Sequence, residues 1–367
     1  FISENRFGFE ECAYLLLFSD LPTKKELDRF TRVLGSRRKI HEDFVRANIL
    51  NAPSSNVMNK IARLVLTMYS FDENPDSTDV KNLLRQSIDL IAKFPIMAVY
   101  GYQAKAHYLD GKSLYIHNPD PGLSTSENIL RLLRPSGEYT ELEAKVLDLA
   151  LVLHAEHGGG NNSTFATHVV SSSGTDIYSS IAAAVGSLKG PKHGGANCKV
   201  IEMMTELKSE VKDWGSDKQI REYLAKIINK KAFDRTGLIY GIGHAVYTLS
   251  DPRCVLFKEQ AEKLAEQVGR TDEFELHKKV EELAPEVFKE IRCINKPMCA
   301  NIDFYSGFVY DMLGIPVEMN TPIFAISRIV GWCAHIIEEH LNGGKIIRPA
   351  YKNIKKLSEY VKMSDRG

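Results

Sequence analysis

The chain has 367 residues, of which 44% are hydrophobic, and its 47 basic side chains are balanced by 47 acidic ones. This length and composition are those of a globular protein with room for two domains. Because positive charge is not in excess, the composition argues against a general binder of nucleic acids or of membrane surfaces.

Helical patterns dominate the N-terminal half, and three of them begin with a capping box, in which a Ser or Thr and a Glu three residues later satisfy each other's backbone N–H groups. The boxes are formed by Thr23 with Glu26, Ser124 with Glu127, and Thr140 with Glu143. The first predicted helix buries one apolar face and ends at Gly35, and the second ends at Pro135. The third extends through the stretch AKVLDLALVLHAEH, up to residue 157.

Two further helices are predicted from a capping residue followed by proline. Asp251 with Pro252 and Thr321 with Pro322 each have the pattern of an N-cap followed by a first helical residue. The charged stretch 205–235 keeps apolar residues at helical spacing, so it indicates solvated helix faces at the start of a smaller domain. Since strand-like alternation is almost absent, we expect a nearly all-α protein.

Nothing in the amino-acid pattern indicates export or membrane insertion. The longest apolar runs, such as residues 149–153, are far shorter than the ~20 residues that span a bilayer. The first residues lack the basic and apolar segments of a signal peptide. The six cysteines are scattered without a CxxC pair, so we expect reduced thiols, no zinc site and a cytoplasmic protein.

Glycine and histidine coincide in three stretches: LHAEHGGGNNSTF at 153–165, GPKHGGAN at 190–197 and GIGHAVYTLSDPR at 241–253. A single histidine in such a place is most often a core or capping residue. A metal site at His154 and His157 would need further ligands at matching spacing, and none is evident, so we expect no metal. GIGH lacks the third glycine and the preceding strand of a dinucleotide-binding loop.

A carboxylate stands out in NIDFYSG at 301–307. The apolar and aromatic residues around Asp303 could raise its pKa enough for it to act as a general base. An aspartate before FYSGFVYDML is equally suited to start a helix, so both interpretations stay open at this point.

These four stretches, together with RIVGW at 328–332 and the dipeptide RP at 348–349, resemble the citrate synthase family in order and spacing. The resemblance covers nearly the whole chain. It implies an all-α, citrate synthase-like fold with a large helical domain over 1–193 and 306–367. A small domain on the acyl-CoA side would take 194–305.

The resemblance also implies an activity. The family's reaction is a Claisen-type condensation of acetyl-CoA with oxaloacetate, followed by hydrolysis to citrate and CoA, a step of the tricarboxylic acid cycle. The chain would be an acyltransferase that converts the acyl group to alkyl on transfer, with acetyl-CoA as co-substrate and no bound cofactor. Two alternatives stay open: a 2-methylcitrate synthase that uses propionyl-CoA, since one methyl group is worth only about 1–3 kcal/mol of discrimination, and a catalytically silent, metabolite-binding relative.

By resemblance, Asp303 is the base that takes a proton from the acetyl methyl group and His193 is the hydrogen-bond donor that stabilises the enol. A helix could begin near His193, and its N-terminus would keep the imidazole neutral. His244 matches the residue that polarises and protonates the oxaloacetate carbonyl. Arginine binds carboxylates bidentately, and the matching arginines are Arg253, Arg328 and Arg348, with His157 as a further polar contact.

The family is homodimeric, and Arg348 matches a residue that reaches the partner subunit's site. Gly343 and Gly344 predict a helix stop, after which KIIRP should leave the body as an extended arm.

In many relatives, basic side chains at the positions of Ala245 or Thr248 hold the CoA phosphates. No residue is therefore assigned to the CoA phosphates, although charge alone suggests Lys189, Lys258 or Lys296.

Overall fold

A computed structural model describes residues 1–243, 247–293, 297–355 and 357–367. Within these ranges the regular structure is helical, and the sole extended pairing is an isolated antiparallel bridge between Ile242 and Ala300. The predicted all-α class is therefore confirmed.

Fifteen α-helices follow one another along the described chain. They are α1 (Phe9–Phe18), α2 (Lys24–Arg37), α3 (Glu42–Phe44), α4 (Val57–Met68), α5 (Val80–Tyr108), α6 (Thr125–Leu133), α7 (Glu141–His154), α8 (Asn162–Ser171), α9 (Ile177–Leu188), α10 (Ala196–Glu210), α11 (Asp217–Ile228), α12 (Pro252–Val268), α13 (Thr271–Arg292), α14 (Ile302–Met312) and α15 (Asn320–Leu341). A π-helical turn (Val45–Leu50) follows α3, and short 3₁₀ turns lie at Tyr69–Phe71, Val317–Met319 and Met363–Asp365.

Helices α5 and α15 form the centre of the larger group of helices. Both are apolar over most of their circumference, which is the pattern of helices that are surrounded by others. Helix α15 packs against α1, α5, α7, α8 and α9, and α5 packs against α2, α4 and α6. Side chains on α15 can therefore reach the C-terminal end of α7 and the N-terminal end of α8.

The remaining helices pack mainly on one another: α11 and α12 on α13, and α10 and α12 on α14. Helix α12 also contacts α7 and so connects them to the larger group. The predicted boundary at 305/306 falls inside α14, which continues through it to Met312. The division into 1–193 with 306–367 and 194–305 stays a prediction.

The structure confirms the capping boxes at Thr23, Ser124 and Thr140 and the Asp251–Pro252 start of α12. The predicted stop at Gly35 is wrong, because α2 continues to Arg37 with Gly35 buried against the Pro121 carbonyl.

The predicted cap at Thr321 is also wrong. The 3₁₀ turn at Val317–Met319 runs directly into α15, so Thr321 is the second residue of the helix. Its hydroxyl donates instead to the Gly194 carbonyl, at 2.9 Å. Pro322 still lies in the first turn, where its missing N–H leaves no helical hydrogen bond unmade.

Within the described ranges, no helix combines the length and the apolar character needed to cross a membrane.

Candidate active site

The N-terminus of α14 is tied to the loop that precedes His244. Asn301 caps α14 by accepting from the Asp303 N–H at 3.0 Å, and its side-chain amide donates to the Gly243 carbonyl at 2.8 Å. The Gly243 N–H donates to the Cys299 carbonyl at 2.7 Å. His244 itself lies outside the described residues. Gly243, the residue before it, makes two hydrogen bonds to the segment that leads into α14, and Gly241 accepts a third from the Asn301 N–H.

Asp303 is the second residue of α14, and Asn301, not Asp303, is the cap. No hydrogen-bond donor among the described side chains contacts the Asp303 carboxylate, and the charges that act on it are those of Arg253, Asp251 and Arg328. Burial raises the pKa of Asp303 to about 6, although the positive charge of Arg253 acts in the opposite direction. A carboxylate with this pKa can accept a proton near neutral pH.

Asp251 joins the starts of α12 and α14. It is fully buried, and its carboxylate accepts from the Arg253 side chain at 3.0 and 2.8 Å and from the Ile302 N–H at 3.2 Å. Burial acts to raise the pKa of Asp251, but the fork of Arg253 outweighs it and the pKa is lowered. The ionised Asp251 therefore fixes the guanidinium of Arg253 near Asp303.

Arg328 lies on α15 and is only 1% exposed. Its Nε donates to the His154 carbonyl at 2.6 Å, and its guanidinium lies 4.8 Å from the centre of the Phe324 ring. Its Nη1 has no hydrogen-bond partner among the described residues. Burial, the largest influence, lowers the pKa of Arg328 to about 10, so the side chain is charged at neutral pH. A buried cation with an unused donor is a ready-made partner for an anionic group.

His193 is held by the N-terminus of α8, and this fixes its tautomer. The backbone N–H of Ser163 donates to His193 Nε2 at 3.3 Å, and the Ser163 hydroxyl lies 3.0 Å from the same nitrogen. Because a backbone N–H can only donate, Nε2 carries the lone pair and Nδ1 carries the proton. Burial and then the charge of Arg328 lower the pKa of His193. The ring is therefore a neutral donor through Nδ1.

The helix start expected near His193 is displaced. Helix α10 begins three residues later, at Ala196, and His193 lies in the preceding turn. In that turn a Cβ on Gly194 would lie 2.3 Å from the Leu188 carbonyl oxygen, which no other residue could accommodate. The glycine is thus required by the close approach of two backbone segments, and the N-terminus that faces the imidazole belongs to α8.

His157 follows the end of α7 and is half-buried. Its ring centre lies 6.3 Å from that of Tyr247, and the guanidinium of Arg253 lies 5.2 Å from the same tyrosine ring. Tyr247 therefore connects His157 with Arg253. His154, three residues earlier, is a buried core residue that hydrogen-bonds the Ala150 carbonyl at 2.8 Å.

Arg348 is not brought to these residues. Helix α15 ends at Leu341, Gly343 has a φ of +60°, and residues 345–355 and 357–362 are not helical, as the two glycines predicted. Arg348 is exposed, and the arm is attached where the Ile347 N–H donates to the Ser172 hydroxyl at 3.1 Å.

Of the lysines considered for CoA, Lys258 is paired with Glu281 at 2.7 Å and Lys296 lies outside the described residues.

Three charged side chains are thus close enough to act on one another, namely Asp303, Arg253 and Arg328, and the charge of Arg328 also acts on His193. They combine a carboxylate base, a neutral N–H donor and two guanidinium groups. Chemically, such a set can bind a small dicarboxylate and remove a proton from a weakly acidic carbon.

Several residues of the site carried no separate signal in the sequence. Ser163 fixes the His193 tautomer and also accepts from Trp332 Nε1 at 3.2 Å, yet it is one of many serines. Asn301 was recognised only as the neighbour of Asp303. Glu156 binds the N–H groups of His157 and Gly158 and was not singled out at all.

Replacing Asp303 by Asn is expected to stabilise the fold at neutral and higher pH. The pKa of the Asp303 carboxyl group is about 6 in the folded chain and about 4 in the unfolded chain, so the folded state binds the proton more tightly. The stability gained from this proton is fully present below pH ~4 and is lost as the pH rises through about 6. The amide avoids this loss, so the free energy of unfolding should increase by about 1–2 kcal/mol at pH ~8. Urea unfolding at pH ~8 and pH ~4 measures the effect, and a variant that is less stable than the wild type at pH ~8 would contradict it.

Comparison with known proteins identifies relatives over almost the full length. The family model described as citrate synthase, C-terminal domain, matches residues 2–350. The citrate synthase of Haloferax volcanii is 35% identical, over 93% of this chain and 84% of that protein. The 2-methylcitrate synthase of Shewanella oneidensis is 32% identical, over 98% of this chain and 85% of that protein.

A solved structure agrees with the sequence comparison. The citrate synthase of Thermoplasma acidophilum, in a ternary complex with carboxymethyl coenzyme A and oxaloacetate, superposes with a TM-score of 0.80 at 28% identity. The alignment covers 100% of this chain and 90% of that one.

Proposed function

Since the chain belongs to the citrate synthase family, we propose that it condenses acetyl-CoA with oxaloacetate, with Asp303 as the base and His193 as the donor to the thioester carbonyl. The chain is an enzyme of the acyltransferase type. The observation that supports this assignment of roles is that Asp303 has a raised pKa and no hydrogen-bond partner among the described side chains, while His193 is a neutral imidazole that carries its proton on Nδ1. The complex of the Thermoplasma acidophilum relative supports the choice of substrates.

The first step is removal of a proton from the methyl group of acetyl-CoA by the Asp303 carboxylate. The electron pair of the broken C–H bond moves into the enol, and the developing charge on the thioester oxygen is stabilised by the Nδ1–H of His193. A neutral imidazole suits this task because the pKa of its N–H group is closer to the pKa of an enol than the pKa of an imidazolium is.

The nucleophilic carbon then attacks the ketone of oxaloacetate, and the new alkoxide oxygen takes a proton, which we assign to His244. Water hydrolyses the thioester of the resulting citryl-CoA and releases citrate and CoA. Acetyl-CoA enters as co-substrate. The chain's own base and donors carry out these steps.

Arg328 and Arg253 are proposed to bind the carboxylates of oxaloacetate, together with His157. Arg328 has an unused Nη1 donor, and Arg253 is held in place by Asp251. Two buried or half-buried guanidinium groups offset the charge of a dicarboxylate, and the ketone between its carboxylates would then lie near the start of α14.

We propose a homodimer in which Arg348 completes the site of the partner subunit. Apolar side chains are left in water on the helical body, where Phe165, Val169 and Leu66 are 48%, 37% and 49% exposed. The arm exposes Tyr351, Ile354, Leu357 and Tyr360 by 80–105%. Apolar surface of this extent is typical of an interface, and a second copy of the chain would cover it.

Inactive Asp303→Ala and Arg348→Ala protomers are expected to regain activity when they are mixed. In a heterodimer both defects fall in one site and the other site is intact, so random subunit exchange should give about a quarter of wild-type activity. Each variant alone serves as the control, and native mass spectrometry confirms the heterodimers. If heterodimers form but no activity returns, each chain supplies its own Arg348.

The activity itself is tested by CoA thiol release from acetyl-CoA and from propionyl-CoA, each with and without oxaloacetate. We expect oxaloacetate-dependent release that is fastest with acetyl-CoA. Faster release from propionyl-CoA would favour a 2-methylcitrate synthase, the activity named for the Shewanella oneidensis relative. Absence of release from either thioester would favour a silent, metabolite-binding protein.

We also propose a cytoplasmic location and a role in the tricarboxylic acid cycle. All six cysteines are free thiols, which agrees with a reducing compartment.

A further inference from the structure

Two histidines outside the catalytic set are joined in a chain of four ionisable side chains between α8, α15 and the loop after α7. His168 Nδ1 lies 2.8 Å from Glu339 Oε2, and His168 Nε2 lies 3.1 Å from His335 Nδ1. At the other end, His335 Nε2 lies 3.1 Å from Glu156 Oε2. We call this set the histidine relay.

The contacts of the histidine relay favour one proton more than two neutral rings can supply. Glu339 accepts from His168 Nδ1, which must therefore carry a proton. Glu156 Oε2 has no hydrogen-bond partner of good geometry among the described residues, but a lone pair on His335 Nε2 would face its negative charge at 3.1 Å, so the charge of Glu156 favours a proton on that nitrogen as well. A neutral imidazole has a single N–H, which would leave two lone pairs facing each other across the 3.1 Å between His168 and His335. A third proton between the rings removes that repulsion and gives the pair one positive charge.

Glu156 connects the relay to the active site. Its other oxygen, Oε1, accepts from the backbone N–H groups of His157, at 2.7 Å, and Gly158. Its Oε2 lies so close to α15 that a Cβ on Gly331 would be 2.4 Å away. The carboxylate is therefore wedged between α15 and the loop, and its orientation sets the backbone at His157.

Charges of both signs act on His335. The carboxylate of Glu156 is the largest influence and raises the pKa of His335, and Glu338 acts in the same direction from 3.8 Å, while Arg328 acts against them. From the neighbouring elements, His168 of α8 faces the same ring, and Cys12 of α1 lies within reach of the charge of Glu156. Burial acts to raise the pKa of Glu156, but its pKa is about 2 because His335 and two N–H groups stabilise the carboxylate.

We propose that His168 and His335 together hold one extra proton between Glu156 and Glu339 and thereby act as positioning residues for His157 in oxaloacetate binding. When the proton is lost, Glu156 loses its countercharge on the α15 side and is drawn toward Arg328, the other cation that acts on it. The backbone at His157 then loses its fixed acceptor, and Arg328 is partly neutralised. The kinetic part of this inference rests on the proposed function.

The sign of the pH effect follows from the raised pKa of His335. The relay keeps its proton below that pKa and loses it as the pH rises, so the KM for oxaloacetate should rise on the alkaline side. Ionisation of Asp303 acts on the acidic side and on kcat, because the base must be deprotonated. The two effects are therefore separable in KM and kcat profiles.

The variant His335→Gln keeps a hydrogen-bonding side chain but cannot hold the extra proton. We expect its KM for oxaloacetate to be about 10-fold higher at neutral pH, as for the loss of one charged hydrogen bond, and independent of pH on the alkaline side. Its kcat should change less than about threefold, since the reacting groups are intact. The matched control is His41→Gln, which removes an exposed histidine that lies 3.7 Å from Asp43, and it should leave both parameters unchanged.

A direct measurement of protonation keeps the proposal testable should the variant fail to fold. Nitrogen NMR of histidine-labelled wild-type protein should show three protonated nitrogens on His168 and His335 together at neutral pH. Two neutral rings at neutral pH, or a His335→Gln enzyme with wild-type KM and pH profile, would overturn the proposal. If the wild type lacks CoA-releasing activity, the proposed function fails, whereas the proton count still decides for or against the relay.

Discussion

Asp303→Asn is expected to lower kcat by about 10²–10⁴-fold while the Kd for oxaloacetate stays within about twofold of the wild type. The amide cannot accept the methyl proton, so the chemical step loses its base. The residues proposed to bind oxaloacetate are Arg253, Arg328 and His157, and the fork between Asp251 and Arg253 does not involve Asp303. Steady-state kinetics and calorimetry with oxaloacetate measure the two quantities separately.

The pH profile of the wild type gives an independent check. Because the base must be ionised, kcat should fall as the pH drops through about 6. Loss of oxaloacetate affinity comparable to the loss of rate in Asp303→Asn would show that the carboxylate belongs to the binding set and not to the chemistry.

Arg328→Met is expected to raise the KM for oxaloacetate by about 10–150-fold, the range for loss of a charged hydrogen bond of about 1.5–3 kcal/mol. The guanidinium of Arg328 is buried and its Nη1 has no hydrogen-bond partner among the described residues, so a bound anion would supply one. Stability should change far less than affinity, because removal of a poorly paired buried charge offsets the lost hydrogen bond to the His154 carbonyl.

The matched control is Arg38→Met. Arg38 is 2% exposed and donates to the Asp120 and Leu123 carbonyls of the chain itself. This variant should lose stability in urea unfolding and keep the wild-type KM. An Arg328→Met enzyme with the same pattern as Arg38→Met would assign Arg328 to the fold and not to the substrate.

The sequence was sufficient wherever a structural feature depends on neighbouring residues. A capping box involves side chains three positions apart, so the starts of α2, α6 and α7 were predicted correctly. The start of α15 was not, because the 3₁₀ turn before it continues the helix and Thr321 is engaged by Gly194, which is distant in sequence.

The residues proposed as catalytic could be named by resemblance to a family, but their protonation could not. The proton on Nδ1 of His193 follows from a backbone N–H 30 residues earlier in the chain. The raised pKa of Asp303 depends on burial, and the distances in the histidine relay join residues 167 and 171 positions apart. These are properties of packing, which local patterns do not encode.

The Arg348 arm is the reverse case. Two glycines and a proline correctly predicted that the helix ends and that a non-helical segment follows. The role proposed for Arg348 depends on a second copy of the chain, and in the single chain Arg348 is exposed.

Deuterium exchange decides whether Asp303 removes the methyl proton of acetyl-CoA. The enzyme is incubated in D₂O with acetyl-CoA and a dicarboxylate that occupies the oxaloacetate site but lacks its ketone, and deuterium in the acetyl methyl group is followed by mass spectrometry. We predict exchange in the wild type, continued though slower exchange in His244→Ala, and none above background in Asp303→Asn. Exchange at the wild-type rate in Asp303→Asn would contradict the account.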